Sequence, residues 1–129
     1  MDRESKEALD AFGKAVVQEV YDRACSHLLA VISRGMKGSR PDPLNLAYTS
    51  LDTATAAVLR EFLTHAVDQT FAQFLAFFDR HEIPIHFPSQ NGSMVDVSAA
   101  SDGLHAEPYN DDGWICRYSS FPDGIPSPK

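Results

Sequence analysis

Pro84 divides the chain into two stretches with different hydrophobic periods, and no other feature of the sequence limits the fold as much. Before it, apolar residues recur every three or four positions, the period of a helix with one buried face. After it, short runs alternate apolar and polar side chains between turn residues, the period of strands. The pattern predicts an α+β fold: two or three long helices followed by a small antiparallel β-sheet of three to four strands at the C-terminus. A length of 129 residues fits one domain, residues 1–129. Its helical part is expected at about 4–82, its β-rich tail at about 83–121 and an irregular, proline-rich end at 122–129.

The first helix is expected over 4–34. Leu9, Phe12, Val16, Val20, Ala24, Leu28 and Val31 step by three or four and share a face, which Leu29 and Ile32 widen. Gly13 costs this helix about 1 kcal/mol relative to alanine, and its small size leaves room for another helix to approach. Gly35 suits a left-handed helix end, Arg34 suits the negative end of the dipole, and two prolines then forbid continuation. Arg34, Lys37 and Arg40 make this loop the basic cluster of an acidic chain, read as a solvated loop or, alternatively, as an anion-binding edge.

The second helical block starts at a cap, Ser50 or Asp52, and ends before Pro84. Val58, Leu59, Phe62, Leu63, Ala66, Val67, Phe71, Phe74, Leu75 and Phe78 fit helical spacing. The block reads as one helix or as two with a break near Thr64–Asp68, where both side chains compete for backbone hydrogen bonds. Its "FAQFLAFF" run reads as hydrophobic core.

In the tail, Asn91-Gly92 marks a hairpin between "IPIHF" and "MVDVS". A second hairpin is expected to pair 104–109 with 114–119 across Asn110–Gly113, setting Tyr109 opposite Trp114, Glu107 opposite Cys116 and His105 opposite Tyr118. On that register Glu107, Tyr109, Asp111, Asp112 and Trp114 form an acidic, aromatic surface suited to a partner protein. If Trp114 is buried, the acidic turn alone remains available.

A formal charge of −7 disfavours broad contact with nucleic acid, where many phosphates must be neutralised, and favours solubility or a basic protein partner. No apolar run approaches the roughly 20 residues that span a bilayer, and the charged start lacks a secretory core, so a cytoplasmic protein without membrane attachment is expected. Cys25 and Cys116, in no CxxC pair, are expected as free thiols.

Two groups resemble reaction centres. His105 with Glu107 has the makings of an acid–base pair, but no activated nucleophile accompanies it, and a carboxylate facing Cys116 raises a thiol pKa. Glu61, His65 and Asp68, at i, i+4 and i+7, share a helical face and are the metal-ligand candidates, though the HExxH pattern is absent. His81, Glu82 and His86 are separated by Pro84. No Walker loop, GxGxxG, GxSxG or zinc-finger spacing occurs, so no cofactor is expected.

Two segments resemble known proteins. "SLDTATAAVLREFLTHAVDQTFAQFLAFFDRHEI" is similar to the helical block of small bacterial proteins of unknown function. "SDGLHAEPYNDDGWICRYSSF" resembles their C-terminal motif, a Gly-Leu-His segment followed by Gly-Trp and an aromatic-Ser end. Some of these proteins look like immunity proteins of polymorphic-toxin systems. The resemblance spans less than half of the chain, brings no catalytic residues, and implies a small bacterial cytoplasmic protein without known enzymatic activity. The expected function is thus a non-enzymatic, immunity-like protein-binding module that recognises a basic partner. The alternatives are a small metal-dependent hydrolase and a homo-oligomer that uses the Phe71–Phe78 stripe.

Overall fold

The computed structural model describes residues 2–34 and 42–128. Gly35, Lys37 and Arg40 of the expected basic loop lie outside the described residues. Helices come first: α1 (Arg3–Val16), a π-helical turn (Val17–Tyr21), α2 (Asp22–Arg34), α3 (Pro43–Thr49) and α4 (Thr53–Arg80). Two short strands follow, β1 (His86–Pro88) and β2 (Met94–Asp96), then α5 (Val97–Ala100) and α6 (Trp114–Tyr118).

The first helix begins where Asp2 accepts from Ser5 N at 2.7 Å, satisfying a first-turn N–H. Leu9 and Phe12 are buried as expected, but the π turn inserts an extra residue into the helical register. Inward positions therefore continue as Val17, Tyr21 and Cys25, all buried, while Val20 is turned out and 54% exposed. The expected inward placement of Val20 is corrected by this one-residue slip. Near the end of α2, Asn45 Nδ2 donates to Val31 O and Ile32 O, both at 3.1 Å, and so satisfies carbonyls that the last turn leaves open.

Asp52, not Ser50, caps α4 by accepting from Thr55 N at 2.8 Å. The helix runs unbroken for 28 residues, about 42 Å at 1.5 Å per residue. Thr64 does not break it, because its hydroxyl donates to Arg60 O within the helix at 2.9 Å. At its end Glu82 takes a left-handed φ of 51°, and Ile83 N donates to Phe78 O at 3.0 Å, a six-to-one bond that closes the helix ahead of Pro84. Left-handed backbone costs a residue with a Cβ about 1–2 kcal/mol, and glycine's extra chain entropy offsets part of the gain. Glu82→Gly is therefore expected to stabilise the fold by about 0.5–1 kcal/mol in urea unfolding.

The sheet has two strands rather than three or four. β1 and β2 pair antiparallel with Phe87 opposite Val95, and Gly92 at φ 89° makes the turn that Asn91-Gly92 predicts. The second hairpin does not form. Residues 114–118 are helical, with Trp114 N donating to Glu107 O and Ile115 N to Pro108 O, each at 3.1 Å. Those carbonyls satisfy first-turn donors of α6, and Pro108 has no N–H to give a ladder. The pairings Tyr109–Trp114, Glu107–Cys116 and His105–Tyr118 are thus replaced by a turn that drives Trp114 inward.

Trp114 is fully buried and edge-on to Phe12, with ring centroids 6.0 Å apart and planes at 77°. A Cβ at Gly13 would overlap its indole, so the glycine admits the ring of a short helix. Arg117 Nη2 meets Asp10 Oδ1 at 3.2 Å and joins α6 to α1 from outside. The following chain is fastened twice: Asp22 accepts from Ser119 Oγ at 2.6 Å and Ser120 N at 2.9 Å, and Ile125 N donates to Thr64 Oγ1 at 3.0 Å.

Candidate functional site: an uncharged face on the longest helix

The residues expected to meet a partner lie along one turn but do not share an exposed face. Trp114 lies in the core and has no exposed surface. Glu107 is half-buried and accepts from Ser101 Oγ at 2.9 Å. Tyr109 is 42% exposed, with its hydroxyl donating to Asp68 O at 3.1 Å. Asp111 and Asp112 remain in solvent at the turn. What survives is an acidic corner beside one tyrosine.

The groups that resemble reaction centres do not assemble either. His105 Nδ1 lies 2.7 Å from Asp79 Oδ2, whereas Glu107 bonds to Ser101, so the two do not form an acid–base pair. Asp79 also accepts from Leu104 N at 3.0 Å and His105 N at 3.1 Å. Partial burial opposes its ionisation, but the His105 ring and the two N–H groups outweigh it and hold the carboxyl below the usual aspartate value. A depressed folded-state pKa stabilises the fold above the unfolded value of about 4 and ceases to do so as pH falls through the folded value. Asp79→Asn is expected to flatten the acid side of the stability profile below about pH 4; urea midpoints between about pH 5 and 2.5 would show it.

Glu61, His65 and Asp68 line an open groove of about 470 Å³ that Asp123, Ile125 and Ser127 close from the tail. Asp68 Oδ1 is already engaged, accepting from Tyr21 OH at 2.8 Å. Among the described residues, no three His, Cys, Asp or Glu side chains converge in a way that could hold a metal ion. Cys25 offers no nucleophile. Burial, followed by the Asp22 and Asp68 carboxylates, pushes its thiol up to about 11. Burial also raises the hydroxyls of Tyr21 and Tyr109, with Asp68 adding to both, which keeps them as proton donors.

A different surface stands out on α4. Only Ala56, Phe71 and Leu75 of its 28 residues are buried. At about 100° per residue, the positions within roughly 80° of Ala66 include Val58, Leu59, Phe62, Leu63, Thr70, Gln73, Phe74 and Phe77. Arg60, Glu61, His65 and Asp68 all fall outside that arc, so no charge interrupts it until Arg80. Phe62 is 67% exposed, Phe74 59% and Val58 51%. Where α4 meets the π turn and α2, the face continues into an apolar groove of about 580 Å³ lined by Val20, Ala24, Leu28, Leu63, Thr70 and Phe74. A smaller apolar recess of about 210 Å³ extends it towards Phe12, Phe78 and Ile85.

The sequence pattern contains this face but hides it. Phe62, Phe74 and Phe77 fit helical spacing, which core side chains would also satisfy. The distinguishing signal is that apolar side chains surround most of α4, so one core cannot cover them all. No helix of the described residues is long and apolar enough to cross a membrane. The chain matches no protein-family model, and no curated protein or solved structure is significantly similar to it.

Proposed function

We propose that this chain is a non-catalytic protein-interaction module and that the uncharged face of α4, with its adjoining groove, is the docking surface. One observation carries the reading: α4 exposes phenylalanines across a charge-free arc on the side away from its buried Phe71 and Leu75. Interface centres are depleted of charge and enriched in aromatic residues, and a groove between helices is the geometry that accepts a partner helix. The immunity-like resemblance points to the same general class, a small protein that acts by binding.

Affinity capture with the tagged chain in its source cell tests the face. A double variant, Phe62→Asp with Phe74→Asp, should keep the fold, because both side chains are largely exposed, and should lose chains retained by the wild type, an untagged copy of itself included. Identical captured sets from the two proteins would remove the reading. The acidic turn is a separate polar surface: a basic protein docked at Asp111 and Asp112 would be released by salt, whereas binding on α4 would not.

A further inference from the structure

Resting on that docking surface, we propose that its occupant is a second copy of this chain, with two α4 helices packed antiparallel about a two-fold axis beside residue 68. A two-fold placed there sets each residue i opposite residue 136−i of the other copy. Phe62 then meets Phe74 and Ala66 meets Thr70, while Phe77 falls opposite Leu59, which is partly buried against the core. The small pair lies at the axis, where two helix backbones approach most closely, and the aromatic pairs lie at either side. A face that is large at both ends and small in the middle is self-complementary under this symmetry, as an isologous dimer requires.

The exposed area is of the right size. From their fractional exposures, Phe62, Phe74, Phe77, Val58 and Val20 leave on the order of 500 Å² of side chain in water. A standard interface covers about 800 Å² per partner, roughly two-thirds of it apolar in homodimers, which is again about 500 Å². Electrostatics permits the pairing despite a net charge of −7 per copy. The apposed arcs carry no charge, so repulsion acts only from outside the contact and is screened beyond about 8 Å at physiological salt. Self-association should therefore tighten as salt rises.

Sedimentation of the purified full chain, from low micromolar to about 100 µM and at low and high salt, tests this directly. The wild type is expected to dimerise, more tightly at high salt. Phe62→Asp with Phe74→Asp should raise the dimer dissociation constant at least about 100-fold, because each substitution is counted twice in a symmetric contact. Ala66→Arg, which sets like charges across the axis, should do the same and provides an independent second variant. A wild type that stays monomeric at about 100 µM overturns the second copy as occupant. So does a dimer that both variants leave intact. Neither result touches the docking surface itself, which is tested by the capture comparison above, so the two failures are distinguishable.

Discussion

Trp114→Ala is expected to cost about 3–5 kcal/mol, the range for deleting a fully buried tryptophan. The indole joins α6 to α1 through Phe12 and lies on Gly13, so its loss opens a cavity where the two halves of the chain meet. Among the described residues its buried Nε1 has no hydrogen-bond partner, so the expected cost is one of packing. Gly13 supplies the sharper test. In the wild type, Gly13→Ala should gain about 1 kcal/mol of helix propensity but force a methyl into the indole, and overpacking of about 1–3 kcal/mol or more wins. In the Trp114→Ala background the obstruction is gone, and the same substitution should stabilise by up to about 1 kcal/mol. Urea unfolding of the four proteins gives the cycle. Equal destabilisation by Gly13→Ala in both backgrounds would mean that Trp114 does not lie on Gly13.

Asp22→Ala carries the second largest effect, about 2–3 kcal/mol, because a nearly buried carboxylate accepts two hydrogen bonds from the chain after α6. Hydrogen bonds to a charged group are the stronger kind, and their loss leaves Ser119 and Ser120 without their acceptor. The effect should be local as well as global. Ser120 N–H should exchange with solvent faster, and protease should cut in 119–125 before α4 opens. Asp22→Asn keeps an acceptor oxygen and should lose less than half as much. A Ser120 amide that exchanges at the same rate in Asp22→Ala and wild type would contradict this fastening.

Periodicity identifies the helices well because it reports which side chains need burial. Leu9, Phe12, Phe71 and Leu75 are buried as their spacing implies, and Asn91-Gly92 turns the hairpin because only a few residues tolerate its positive φ. Periodicity does not reveal the π turn. Val16 and Val20 and, equally, Val17 and Tyr21 are four apart, and the choice between them depends on the tail that packs against them. The 104–119 hairpin fails for a related reason. Alternation over five residues is weak, while burying one tryptophan against one glycine is a long-range gain that a local pattern cannot register. That Glu107, Tyr109 and Trp114 share no exposed face follows from that single change. The α4 surface is partly legible, since charge is missing from one side of the helix. Which apolar side faces the core becomes clear only once Phe71 and Leu75 are seen to be buried and Phe62 and Phe74 are not.

The proposed role stands or falls on whether the uncharged side of α4 is covered where the protein works. Hydroxyl-radical footprinting of Phe62, Phe74 and Phe77 in intact cells, referenced to dilute purified protein, measures that at the side chains concerned. Strong protection of all three in the cell, with Tyr109 and Met94 oxidised alike in both, is the expected result. Equal oxidation of the three phenylalanines in the cell and in dilute solution would show the face bare and contradict its role as a docking surface.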